Sequence, residues 1–241
     1  MKRTYIFFLC LFLMALTEIS AQTIPVNKRF GKVSREELEL SSYDLDTAAT
    51  ALILYENKWT AIHLNAADAF TQTTRTHMRI KILKEEGVSW GDFEMICHHS
   101  TKNQESVAGI DVVTYNLVDG KIVETKMPKK YIFTEDFTEN YKKVTFSAQD
   151  VRVGSVIEVK FDRIDTRYWN LPDIYFQKNI PVNLVECEVR LPEFFTFNKK
   201  MTGYHRVDYA YDEDSGSLQT SNGQYGYNIS IDKYSASDVP A

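Results

Sequence analysis

From residue 77 onward the chain alternates apolar and polar positions with a period of two, the signature of half-buried strands. "HMRIKIL" puts Met78, Ile80 and Ile82 on one face, with Arg79 and Lys81 on the other. In "SVIEVKFDR", Ile157, Val159 and Phe161 face inward, while Glu158, Lys160 and Asp162 face outward. "YKKVTFSA" alternates Val144, Phe146 and Ala148, and "VECEVRL", "HRVDYAY" and "GYNISI" add further strands. "DVVTYNLVDGKIVETK" reads as a hairpin: Val113, Tyr115 and Leu117 alternate, Asp119-Gly120 makes a two-residue turn, and Ile122 starts the return. "DEDSGSLQTSNGQ", Asp212 to Gln224, is polar and rich in Gly and Ser, so it reads as a loop or a weak hairpin tip.

One helix precedes these strands. Ser34 and Glu37 fit a capping box and Val33 with Leu38 the hydrophobic staple around it, predicting a short helix near 34–42. Amphipathic helices do not separate the strands, so a parallel sheet built by helical crossovers is not expected. The predicted fold is all-β, an antiparallel β-sandwich with one short N-terminal helix. The stretch "LPDIYFQKNIPV", Leu171 to Val182, is expected to be a strand framed by Pro172 and Pro181. Phe176 would lie on its core face and Tyr175 on the other.

The N-terminus changes the picture of where the chain works. Met1-Lys2-Arg3 is a basic start, "YIFFLCLFLMAL" is apolar, and Ser20-Ala21 offers small residues for cleavage. Residues 1–21 are therefore expected to be a signal peptide, leaving 22–241 as one β-sandwich domain in the periplasm or outside the cell. No membrane span is expected after cleavage. The remaining chain carries 26 basic and 32 acidic residues, well mixed, which gives no electrostatic footprint for nucleic acid.

Candidate chemistry is sparse. Cys97 shares a face with Phe93 and Met95, and Cys187 shares one with Val185, Val189 and Leu191. Both read as buried thiols, with a disulfide between them as the alternative. Cys97 and His98 point to opposite sides of a strand and cannot act as a nucleophile pair. No spacing of His, Cys or carboxylates matches a metal site, and no glycine-rich phosphate loop occurs. No catalytic, metal-binding or cofactor-binding residue is assigned. Trp59, Trp90 and Trp169 could stack on sugars, but Trp90 and Trp169 beside Gly91 and Pro172 fit better as plugs at the ends of a core.

"RIKIL", "TYNLVDGKIVETK", "ENYKKVTFS", "VRVGSVIEVKF", "LPDIYFQKNIPV" and "VRLPEFFTF" occur in an order that resembles domain of unknown function 3857, over roughly Phe30 to Tyr234. That resemblance implies the N-terminal domain of secreted Bacteroidota proteins, placed before a transglutaminase-like domain of the papain-like thiol fold. It also implies that the family's Cys, His and Asp lie downstream, so none maps onto this chain, which stops at "SASDVPA". The expectation is a non-catalytic module that packs beside such a domain, in cis or trans, or presents its substrate. The alternative is a stand-alone glycan- or peptide-binding sandwich.

Overall fold

A computed structural model describes residues 24–64, 69–220 and 223–241. The expected signal segment, 1–21, lies outside the described residues. After the helix α1 (Arg35–Glu39) come β1 (Ala51–Leu64), β2 (Phe70–Ile82), β3 (Asp92–His98), β4 (Glu105–Val118) and β5 (Lys121–Lys126). They are followed by β6 (Phe133–Thr138), β7 (Tyr141–Ser147), β8 (Val156–Asp165), β9 (Val182–Pro192), β10 (Asp208–Thr220) and β11 (Gly223–Val239). Eight strands form one sheet in the order β10-β11-β9-β1-β2-β8-β4-β5, and β3-β7-β6 form a second. Pairing is antiparallel except between β1 and β9, which run parallel from Ile53↔Val182 to Ala61↔Arg190. The fold is an all-β sandwich.

The core between the sheets follows the alternation. Ile80, Ile82, Ile157 and Val159 of the large sheet meet Met95, Cys97, Val144 and Phe146 of the small one. The β4–β5 hairpin turns at Asp119-Gly120, with φ of 48° and 73°. Positive φ at both positions is what an Asp-Gly type I′ turn needs, and it matches the strand twist. Ser34 caps α1 and the reciprocal Glu37 bond completes the capping box. Val33 and Leu38 pack in one cluster, as a staple should. The helix is shorter than expected, because Leu40 already turns to an extended ψ of 120°.

The largest correction concerns the second face of the large sheet. Arg79, Lys81 and Glu158, expected to face solvent, are all 0% exposed. The N-terminal segment crosses this face and seals it, burying Leu52, Leu54, Val113, Tyr115 and Val156 with help from Val26, Phe30 and Val33. The molecule thus has three layers: small sheet, large sheet, and a strap containing α1.

One more expectation changes, and one open alternative is settled. Leu171–Ile180 joins no ladder and bends at Asn179-Ile180. Ile174 and Phe176 still pack against the core while Tyr175 is 65% exposed, so the alternation holds without a strand. Of the two readings of Asp212–Gln224, the hairpin tip is the one that holds: Asp212–Thr220 and Gly223–Gln224 extend the β10–β11 ribbon, which pairs from Asp208↔Ser235 out to Thr220↔Gly223.

Candidate functional site

Both thiols are locked away from chemistry. Cys97 on β3 and Cys187 on β9 are free and buried, each inside the apolar core. Burial pushes the Cys187 thiol up to about 12, with nearby Lys58 opposing. Burial also raises Cys97, and the charge of Glu105 adds to it. A thiol raised this far stays protonated at neutral pH and is a poor nucleophile. His98 projects away from Cys97, with its Nδ1 at 3.3 Å from the Asn103 carbonyl and its ring against Tyr141. Nε2 of His205 lies 2.8 Å from the Ser237 carbonyl oxygen. Among the described residues no group of three or more His, Cys, Asp or Glu is placed to hold a metal.

The strap encloses an ionic centre that the alternation of β2 and β8 creates. Arg79 donates from Nη1 to Glu37 Oε1 at 2.7 Å, and from Nη2 and Nε to Glu158 Oε1 at 2.5 and 3.2 Å. Its Nη2 also reaches the Arg29 carbonyl at 3.2 Å. Glu158 accepts from the Gly31 amide at 2.7 Å and the Tyr115 hydroxyl at 3.2 Å, and His77 Nε2 sits 2.9 Å from it. Burial alone would raise the Glu158 carboxyl. Hydrogen bonds from His77 and Arg79, with the Arg79 charge, hold it below its usual value instead. Two residues along β2, burial lowers Lys81 to about 8, and its ammonium donates to the Leu38 and Gly154 carbonyls at 2.7 and 2.6 Å. Each of these buried charges has a partner, so the centre clamps the strap rather than offering an open catalytic group.

The opposite character appears at the end of the large sheet where β1 finishes and β2 begins. Phe70 opens β2, Tyr168 and Trp169 follow β8, and Phe194 and Phe195 follow β9. Phe195 stands edge-on to Phe70 at 4.9 Å and tilted to Tyr168 at 5.3 Å. Trp169 stands edge-on to Tyr168 at 5.1 Å. On the other side, Phe194 contacts Tyr227 at 5.1 Å and Tyr225 at 6.3 Å. Trp169, expected to plug the core, is instead 56% exposed, whereas Trp90 does pack against the core. Trp59 is half-buried beneath the Arg75 guanidinium, 4.7 Å from its ring centroid. Sequence reasoning missed the ring cluster because its members come from four separate segments; the aromatic pairs Tyr168-Trp169 and Phe194-Phe195 just after strands were the available signal.

The model of a family described as a domain of unknown function with a solved structure, DUF3857, matches residues 68–229. The chain belongs to this family. No curated protein matches it. Among solved structures, this DUF3857 chain is similar to a crystal structure from Parabacteroides distasonis ATCC 8503, named as a candidate protease, with a TM-score of 0.51 and 14% identity. The match covers 80% of this chain and 36% of that one, so the likeness is one of fold, to a part of a longer protein.

Proposed function

We propose that this chain is an exported, non-catalytic β module that serves a catalytic domain of the transglutaminase-like class, by packing beside it or presenting its substrate. The observation that carries the reading is the state of the thiols. Cys97 and Cys187 sit in the core with raised pKa, away from an imidazole partner. The ionisable groups buried beneath the strap, Glu37, Arg79, Lys81 and Glu158, are engaged in structural contacts. A protein in which this fold occupies 36% of the chain has most of its length for other work, which accords with a companion role. Processing after Ala21 belongs to the same proposal, and rests on the basic start and apolar run at residues 1–21.

The test is an assay of the purified chain for amidase, peptidase and transamidating turnover, with the two cysteine variants as controls. No turnover is expected. Activity abolished by Cys97→Ser or Cys187→Ser in a folded protein would overturn the reading. For presentation, a catalytic domain of this class should show a lower KM for its polymeric substrate when the module is present, with kcat little changed. An unchanged KM refutes that part.

A further inference from the structure

The outer face of the small sheet carries an open cleft that the companion role does not use. On β3 and β7, Met95, Cys97, Val144 and Phe146 point into the core, so Glu94 and Thr145 point outward by alternation. Glu94, Thr145 and Phe133 pair across β3, β7 and β6 in one row, and Asp92 pairs with Ser147 in a second. Tyr131, two residues ahead of Phe133, joins these residues in lining a cleft of about 450 Å³. That volume is within the range of ligand sites, roughly 300–1,000 Å³. By strand order Asp92 and Glu94 stand on one side and Phe133 on the other, two strand spacings or about 10 Å apart at the backbone. Between them Thr145 and Ser147 have small side chains, which leave the gap open.

The two sides differ in chemistry. Asp92 and Glu94 are exposed carboxylates that make no salt bridge or side-chain hydrogen bond among the described residues. Lys143 feels the charge of Glu94, but its ammonium is held by Glu135 at 2.7 Å. Across the gap, Tyr131 and Phe133 are 38% and 58% exposed. The Tyr131 ring already takes a cation of the chain itself, with the Lys130 ammonium 5.2 Å from its centroid. Rings on one side and free carboxylates on the other suit a side chain with an alkyl stem and a cationic head, which is Lys or Arg. The backbone beside the cleft is also open. β6 has a strand on one side only, and all six of its residues are exposed. The other edge of this sheet, β3, is partly taken, since Arg163 Nη2 donates to the Ile96 carbonyl at 3.1 Å. Unpaired N–H and C=O groups along an edge are a template for an added strand. A second copy pairing antiparallel about the centre of β6 would set Glu135 or Asp136 against its own counterpart, like charge on like charge. A free amine would leave the edge unmet. A basic peptide meets both the edge and the carboxylates.

We infer that the cleft and the β6 edge together bind an extended peptide segment, with a Lys or Arg side chain laid against Tyr131 and Phe133 and its charged end at Asp92 and Glu94. This goes beyond the companion role and stands without it. The test is fluorescence anisotropy of the full chain with a labelled peptide, Gly-Thr-Val-Thr-Arg-Thr-Val-Thr-Gly, and its counterparts with Lys or citrulline at the centre. The Arg and Lys peptides should bind saturably. Citrulline keeps the shape of Arg and drops the charge, so its peptide should bind about fivefold or more weakly. The double variant Asp92→Asn, Glu94→Gln should weaken the Arg peptide to a similar degree, and Phe133→Ala about threefold or more, with thermal melts showing the fold intact. Trp169→Ala, which removes an exposed ring beyond the end of β8, should leave binding unchanged. Absence of saturable binding by both basic peptides overturns the inference. So does equal binding of the citrulline peptide, a comparison that needs no variant to fold. Binding that survives both cleft variants, or that Trp169→Ala removes, overturns it as well. Nα-acetylarginine amide binding as tightly as the peptide would make the cleft a pocket for small cations and defeat the peptide reading. Turnover by the isolated chain would defeat the companion reading and leave this one standing.

Discussion

Glu158→Gln is the sharpest probe of the buried clamp. The substitution keeps the shape of the side chain and removes one charge from a site that is 0% exposed. Arg79 would lose the anion that accepts from its Nε and Nη2 and would keep a single anionic partner, Glu37, beside the Arg29 carbonyl and a neutral amide. The new amide group would also face donors, since the Gly31 amide and Tyr115 hydroxyl both point at the carboxylate. Removing one partner of a buried ion pair costs about 3–5 kcal/mol, because the other charge stays desolvated. That is a large part of the 5–15 kcal/mol typical of a folded domain. In urea titrations, with a slope of about 2 kcal/mol per M, the midpoint should fall by roughly 1.5–2.5 M. The pH dependence gives a second check. Glu158 is held below its ordinary 4.5, so its contribution is present in full above that value and is lost as pH falls through the lowered one. The stability gap between wild type and Glu158→Gln should therefore hold at neutral pH and close on acidification. A gap under about 1 kcal/mol at pH 7, or one that widens in acid, would refute the clamp.

Cys97 and Cys187 should resist alkylation in the native protein and label fully in denaturant without reductant, as buried free thiols do; fast native labelling of either would show it exposed. Phe176→Ala should cost about 1–2 kcal/mol, below the 3–5 of a fully buried Phe, because Phe176 is only partly buried in an unpaired segment. Tyr175→Ala should stay within about 0.5 kcal/mol, and thermal melts that reverse this order would contradict the placement of the two rings. Lys81 has a folded pKa near 8 against 10.5 unfolded, so the unfolded chain binds the extra proton between those values. Wild type should therefore gain stability over Lys81→Met as pH rises from about 8 toward 10.5, and a flat difference across that range would count against the buried ammonium.

Local chemistry was legible in the sequence. The Asp119-Gly120 turn, the Ser34–Glu37 box and the faces of β3, β7, β8 and β9 are each set within a few residues, and each appears in the structure. Alternation, however, says which side chains share a face, not what covers it. Arg79 and Glu158 read as solvent-facing because their cover comes from residues 24–40, 39 or more positions away in sequence. The strand β1 was missed because "ALILY" is apolar on consecutive positions, the mark of a strand buried on both faces. In Leu171–Ile180 the alternation was correct and the pairing was not, since a ladder needs a neighbour that no local pattern specifies. The ring cluster is the same problem at a surface: spacing along the chain does not show that four loops and strand ends converge.

The match to the family begins at residue 68, yet the structure's physical centre lies before it. β1 joins β2, β8, β4 and β5 on one side to β9, β11 and β10 on the other, so the large sheet is continuous only through it. The strap ahead of β1 supplies Glu37, the Arg29 carbonyl and the Gly31 amide to the ionic centre. At the other end of its path, the Ile24 amide donates to Asn183 Oδ1 at 2.7 Å while Asn183 Nδ2 returns a bond to the Ile24 carbonyl at 3.0 Å. An extended segment held by apolar side chains alone could slide along a sheet face at small cost, because hydrophobic contact is not directional. Hydrogen-bonded charges are directional, and a shift would strand Arg79 and Glu158 without partners. The buried charges therefore fix the register of the strap, and they do so with groups that an apolar–polar pattern assigns to the solvent.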